Sequence, residues 1–398
     1  MTNLEKSGFS AQRLENVSDY LQRLVDTRQT AGVGAYIARR GAEVYYKSFG
    51  FQDIENSIPM RNDSLYRIYS MTKTFTIVTA MTLYEKGLFK LHDPIAAFLP
   101  AFAGVQVARH DERGVLQIVK AKCPITFEHL FTMTSGIPYP GNDSYSARVF
   151  AELQAKTDMN TLTAVQAADM AARVPLCFHP GEHWMYGFSH DILGCLIEIL
   201  SGKTLGEYMK EVIFEPLNLC DTGFYVPEEK QGRLTKVYGV TEQGLVQLKN
   251  LTEDHAATVP PLFEMGGAGL VSTLRDVGRY ARMLLNKGSL EGTRVLSRKT
   301  IELIRQNHCL ESQDVPRFGF SGMAGYGYGL GVRTMIDTSA AGLNGSFGEW
   351  AWDGMLGTWY CVDPVEDMIA VFMVQRHPGG NDDLPKRFAQ TVYGAIND

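Results

Sequence analysis

The hexapeptide Tyr69-Ser70-Met71-Thr72-Lys73-Thr74 is the most informative stretch of this chain, because it places a Ser-x-x-Lys pair at the start of an apolar segment. Residues i and i+3 of a helix share one face, so the Lys73 amine can reach the Ser70 hydroxyl. A serine hydroxyl needs a neighbour that accepts its proton, and a partly desolvated lysine can do this. An N-capping serine beside a solvated lysine has the same pattern, so the pair alone leaves both interpretations open.

A second segment, residues 179–191, is polar and aromatic and lies on a predicted loop that leads into a helix. If its Tyr186 is held near the serine and the lysine, it is a candidate base, because neighbouring positive charge favours the phenolate. A core tyrosine with a satisfied hydroxyl is the alternative. Two histidines here are spaced H-x-x-x-H, but Pro180-Gly181 between them prevents the helix that would bring both rings to one metal. We therefore expect no metal site.

A third segment, Trp352-Asp353-Gly354-Met355, begins at the last residue of a predicted strand. Gly354 has no side chain, so other backbone can approach it closely, and the N–H that follows, at Met355, can point at an oxyanion. A glycine at a strand kink is the alternative. The segment is thus a candidate third part of one site.

Together the three segments resemble the serine hydrolases of the class C β-lactamase and penicillin-binding-protein superfamily, and in particular its family VIII carboxylesterases. The resemblance covers nearly the whole chain. It implies that Ser70 is the acylated nucleophile, that Lys73 activates it and that Tyr186 moves the proton. It also implies an oxyanion hole built from the N–H groups of Ser70 and Met355. Which of Lys73 and Tyr186 is the base stays open.

Two departures from the superfamily pattern concern the substrate. Phe188 stands where β-lactamases have Asn, two places after the tyrosine, and Trp352-Asp353-Gly354 stands in place of Lys-Thr-Gly. In those relatives the lysine complements a substrate carboxylate, whereas Trp352 supplies no charge and Asp353 would repel one if it faced the site. We expect these four residues to contact the substrate and to favour an uncharged ester.

The order of the predicted elements indicates the fold class. An amphipathic helix at 11–28, a closing helix at 384–396 and a helical middle surround several strands. The predicted strands are 33–38, 42–49, 326–334, 349–352, 358–362 and 368–374. We expect an α/β (α+β) protein of β-lactamase/transpeptidase-like fold, an antiparallel sheet flanked by terminal helices. The expected division is a discontinuous sheet domain, 1–74 and 226–398, and a mostly helical domain, 75–225.

Composition excludes several other classes of protein. The chain has 38 Lys and Arg against 44 Asp and Glu, a formal charge of −6, which argues against a nucleic-acid-binding protein. No run of 18 apolar residues predicts a membrane span. The N-terminus lacks an apolar signal core, which predicts a cytoplasmic protein, although a trimmed leader would leave the same sequence.

The function expected from these observations is a serine carboxylesterase that cleaves short-chain esters through an acyl-enzyme on Ser70. A β-lactamase, a D-amino-acid peptidase or amidase, and an acyltransferase of the same fold are the alternatives. A non-catalytic binding protein is a weaker one, because all three catalytic side chains are present. We expect a small-molecule ester or amide substrate, no cofactor, and no nucleic-acid or membrane partner. The physiological ester, the acyl length and the oligomeric state stay open.

Overall fold

A computed structural model of the chain describes residues 6–141, 144–242, 244–249, 257–313, 323–379 and 383–398. Its strands are short outside the central sheet. They are β1 (Gly32–Arg39), β2 (Ala42–Asp53), β3 (Ile58–Pro59), β4 (Tyr66–Arg67), β5 (Gln106–His110), β6 (Leu116–Lys120), β7 (Tyr238–Thr241), β8 (Gly244–Gln247), β9 (Val271–Ser272), β10 (Ser289–Leu290), β11 (Thr293–Arg294), β12 (Tyr326–Tyr328), β13 (Arg333–Met335), β14 (Trp350–Asp353), β15 (Trp359–Asp363), β16 (Met368–Val374) and β17 (Arg376–His377).

Eight of these strands form the central antiparallel sheet, in the order β12-β13-β14-β15-β16-β1-β2-β3. β1 lies inside this sheet, and its register with β16 runs from Val33 opposite Val374 to Arg39 opposite Met368. Every residue of β1 is buried, because both faces of the sheet are covered. The sheet therefore joins the N-terminal and C-terminal parts of the chain.

The helices lie on both sides of the sheet. They are α1 (Ala11–Asp26), α2 (Thr72–Glu85), α3 (Phe127–Phe131), α4 (Tyr145–Ala155), α5 (Ala164–Ala172), α6 (Ser189–Ser201), α7 (Leu205–Met209), α8 (Leu274–Leu285), α9 (Arg298–Arg305), α10 (Thr338–Ala341) and α11 (Leu384–Gly394). The two terminal helices, α1 and α11, pack together on one face over Val33, Ala35 and Ile37. This confirms the predicted sheet with terminal helices.

The central helix α2 positions the candidate site. Every residue from Thr72 to Leu83 is buried, so this helix is covered on all sides. The ring of Phe75 stacks on Tyr280 of α8 at 3.8 Å between centroids, and α8 packs on the second face of the sheet. The Ser-x-x-Lys segment at the start of α2 is therefore held by the core of the protein.

The structure corrects one predicted strand. Residues 326–334 form two strands, β12 and β13, because a turn at Gly329 and Gly331 reverses the chain, and Gly331 has a φ of +74°. The division into 1–74 with 226–398 and 75–225 stays a prediction. Within the described part of the chain, no helix has the length and apolar character needed to cross a membrane.

Candidate active site

The candidate nucleophile lies on a tight turn. Tyr69–Met71 form one turn of 3-10 helix that leads directly into α2, and Tyr69 has a φ of +42°. A bulky residue with positive φ is strained and persists only where its surroundings hold it in place. Ser70 is partly exposed on this turn, and the Lys73 Nζ lies 3.2 Å from its Oγ. The i, i+3 contact predicted from the sequence is present.

Lys73 is fully buried, and few contacts stabilise a positive charge on its amine. Its Nζ donates to the carbonyl oxygen of Gly267 at 2.6 Å and lies 4.6 Å from the ring centroid of Tyr186. Burial lowers the pKa of Lys73 to about 7, against a smaller opposing effect of the Asp191 and Asp353 charges. A large share of the amine is therefore uncharged at neutral pH and can accept a proton.

Tyr186 lies on the loop before α6 and faces the same centre. Its hydroxyl interacts with Ser70 and accepts a hydrogen bond of 3.4 Å from the Trp352 Nε1. Burial raises the pKa of Tyr186 above its usual range, and the hydrogen bonds offset this only in part. Burial therefore acts against the phenolate, which nearby positive charge was expected to favour.

Two further residues of the site, Asp191 and Tyr139, were missed by the sequence analysis. Asp191 on α6 is buried and accepts hydrogen bonds from the Gly267 N–H at 2.9 Å and from the Tyr139 hydroxyl at 3.2 Å. Its carboxylate thus positions Gly267, whose carbonyl binds the Lys73 amine. A Cβ on Gly267 would lie 2.4 Å from the Asp191 Oδ2, so only glycine fits there.

Gly354 brings the third segment next to the nucleophile turn. A Cβ at this position would lie 2.4 Å from the carbonyl oxygen of Ile68, two residues before Ser70. The Thr358 hydroxyl donates to the same oxygen at 3.3 Å. The close backbone approach predicted for Gly354 is therefore found, and Met355 follows it in the turn after β14.

The chain matches a known protein family over nearly its whole length. The family model described as Beta-lactamase matches residues 17–394. The chain belongs to the β-lactamase family. The expected superfamily and fold are thereby confirmed, and the chain is a β-lactamase-fold hydrolase.

Several known proteins match nearly the full length of this chain. Protein Rv1367c of Mycobacterium tuberculosis is 30% identical over 94% of this chain and 97% of its own. Esterase EstB of Burkholderia gladioli is 27% identical over 91% of each chain. Among solved structures, EstCE1, a hydrolase with promiscuous acyltransferase activity, superposes with a TM-score of 0.82 at 23% identity, covering 96% of this chain and 98% of its own.

In this β-lactamase-family protein, two of the expected substrate contacts lie behind the site surface. Trp352 is 1% exposed and stacks on Tyr186 at 5.6 Å between centroids. Phe188 is also 1% exposed and packs edge-on against Tyr139 at 6.0 Å. Both side chains have almost no surface left for a substrate. Trp352 packs against Tyr186, and Phe188 packs against Tyr139.

The charge of Asp353 also differs from expectation. It was expected to be a lone negative charge, but Arg333 of the neighbouring strand β13 donates to its carboxylate. Pairing could not be seen in the sequence because the two residues are 20 positions apart and meet only through the register of β13 with β14. The third segment therefore carries an ion pair.

Proposed function

We propose that this protein is a serine hydrolase that cleaves short-chain carboxylic esters through a covalent acyl-enzyme on Ser70. One observation carries the proposal: the Ser70 Oγ lies 3.2 Å from a buried amine, that of Lys73, whose pKa burial lowers to about 7. A hydroxyl next to an uncharged amine can lose its proton as it attacks a carbonyl carbon. The esterase among the relatives supports this choice of substrate class.

The proposed reaction has two halves. Lys73 accepts the Ser70 proton as Oγ attacks the ester carbonyl, and the N–H groups of Ser70 and Met355 stabilise the resulting oxyanion. Tyr186 passes the proton to the departing alkoxide, so the alcohol leaves and the acyl group remains on Ser70. A water molecule then attacks the acyl carbon, loses its proton through the same groups, and releases the carboxylic acid. Lys73 is the base in this scheme, because burial disfavours the Tyr186 phenolate.

We expect strong preference for neutral esters over β-lactams. The carboxylate of a penicillin-type substrate would find no free cation at this segment, because Trp352 is uncharged and Arg333 is already paired with Asp353. A charge-assisted hydrogen bond is worth on the order of 1.5–3 kcal/mol, so its absence costs about ten- to a hundredfold in kcat/KM. Rates with p-nitrophenyl butyrate and nitrocefin test this. Equal kcat/KM values for the two would make the β-lactamase alternative the better one.

We expect the activity to rise with pH through an apparent pKa near 7. The reason is that a base must be unprotonated, and burial lowers the Lys73 pKa to about 7. Asp191→Asn removes a negative charge that raises the Lys73 pKa, so the increase of activity with pH should occur at lower pH. The asparagine side-chain oxygen can still accept the hydrogen bond from the Gly267 N–H. The pH profile of kcat/KM measures both effects.

Glu198→Gln is the matched control for Asp191→Asn. Glu198 lies on the same helix, seven residues further, which is about 10 Å along its axis. The pH profile of kcat/KM of Glu198→Gln should be the same as that of the wild type. An Asp191→Asn profile that coincides with the wild type would show that this carboxylate does not act on the base.

The proposed function is tested most directly by intact-mass spectrometry during turnover of an ester panel with graded acyl length. A mass increase equal to the acyl group, removed by Ser70→Ala, supports it. If added methanol yields the methyl ester in place of the acid, the protein acts mainly as an acyltransferase.

A further inference from the structure

The ion pair of Arg333 and Asp353 lies at the edge of the candidate site. Arg333 is opposite Ala351 in the sheet, so Asp353 is its diagonal neighbour, two residues further along β14. The side chains are only 13% and 22% exposed. A pair this sheltered is weakly screened by water and salt.

The carboxylate of Asp353 acts on the two proton-transfer groups. Burial dominates the pKa values of Lys73 and Tyr186, and the charge of Asp353 acts on both. In the chain, Asp353 lies next to the centre where Ser70 reacts, because Trp352 before it donates to the Tyr186 hydroxyl and Gly354 after it packs against the Ile68 carbonyl. It is the negative end of the ion pair that acts on this centre.

The guanidinium of Arg333 has hydrogen-bonding capacity left over. It carries five N–H donors. One nitrogen, Nη1, donates to Asp353, while the buried Nε donates to no other described residue. The group lies 5.9 Å from the Trp352 ring centroid and 5.4 Å from that of Tyr326, so aromatic faces hold it beside the third segment. A guanidinium in this setting is suited to bind a carboxylate.

We propose that Asp353 occupies, on Arg333, the place that a substrate carboxylate would take, and so closes an anion-binding subsite beside Ser70. The consequence is a restriction to esters that are uncharged near the scissile carbonyl. The inference rests on the proposed esterase function and adds the residue that sets its substrate class. An incoming carboxylate has to displace Asp353 from the guanidinium while it is repelled by the same charge.

The experiment compares two substrates of equal acyl length. 4-Nitrophenyl pentanoate is neutral, and the 4-nitrophenyl monoester of glutaric acid ends in a carboxylate. The wild type should prefer the neutral ester. Asp353→Asn keeps the size of the side chain but removes its charge, so the ratio of kcat/KM for the anionic over the neutral ester should rise about tenfold or more, the scale of a charge-assisted hydrogen bond.

Arg333→Met and the double variant provide the matched controls. If the arginine binds the substrate carboxylate, the gain of Asp353→Asn should disappear when Arg333→Met is added. Arg333→Met alone leaves Asp353 without its cation. In this variant the ratio of kcat/KM for the anionic over the neutral ester should be equal to or lower than that of the wild type. A gain that survives in the double variant would show that loss of repulsion alone is responsible, and would contradict the subsite.

A binding measurement separates the inference from the proposed function. Glutarate should raise the melting temperature of Asp353→Asn but not that of the wild type or of the double variant. Asp353→Ser serves in the same assays if Asp353→Asn does not fold. An unchanged substrate ratio and no glutarate binding, with the neutral ester still hydrolysed, would overturn the inference alone. A wild type that hydrolyses neither ester would overturn the proposed function.

Discussion

Ser70→Ala should abolish ester hydrolysis while the protein remains folded. The Ser70 Oγ is the proposed attachment point of the acyl group, and without it neither the acyl-enzyme nor its proton transfer can form. The lost hydroxyl is partly exposed and leaves no large cavity, so we expect little change in the free energy of unfolding. Initial rates with p-nitrophenyl butyrate and a thermal melt measure the two properties.

Ser201→Ala is the matched control for that variant. Ser201 is the last residue of α6, about 18 Å along the helix from its Ser189 end. This variant should keep full activity. In parallel, a fluorophosphonate probe should add to Ser70 of the wild type and to nothing in Ser70→Ala. Labelling of another serine, or an active Ser70→Ala, would show that the nucleophile lies elsewhere.

Lys73→Ala and Tyr186→Phe should each lower kcat by roughly 10² or more, the scale of a lost proton-transfer group. Lys73 should have the larger effect, because it is the group that is partly uncharged at neutral pH. The double variant should lose far less than the product of the two single losses, since both residues serve the same proton. Steady-state kinetics on the four proteins of this cycle measure the coupling.

Lys86→Ala is the matched control for the lysine. Lys86 directly follows the same helix, and its Nζ donates to the Tyr208 hydroxyl at 3.1 Å. Its removal takes the same kind of side chain from the other end of the helix but should leave kcat unaltered. If either Lys73→Ala or Tyr186→Phe costs less than about fivefold, that residue has no part in the proton transfer.

The parts of the site that the sequence predicted depend on local geometry. The spacing of Ser70 and Lys73 follows from the helical repeat, and Gly354 marks a close approach because glycine alone lacks a Cβ. The sheet was predictable as well, because its strands β1 and β16 are short, mostly apolar runs, and turn residues such as Arg40-Gly41 end the first of them. These features need no knowledge of the distant partner.

The missed parts depend on contacts between distant segments. Tyr139 donates a hydrogen bond to Asp191, which lies 52 residues further along the chain, and no local sequence pattern predicts that contact. Asp191 did leave a signal, since it is an acidic residue within a strongly apolar helix, where a buried carboxylate needs partners. The sequence could not show how strongly burial disfavours the Tyr186 phenolate, because desolvation depends on the surrounding packing.

The pairing of β1 with β16 has a consequence for synthesis of the chain on the ribosome. Val33 of β1 lies opposite Val374 of β16 in the sheet. β1 therefore cannot pair with β16 until almost the entire polypeptide has been translated. The β1–β2 hairpin can form at once, but its other edge stays open and apolar during that time, which exposes the nascent protein to aggregation. Stable folding of this chain is therefore a late, largely post-translational event, and its yield in a cell should depend on chaperones that shield that edge.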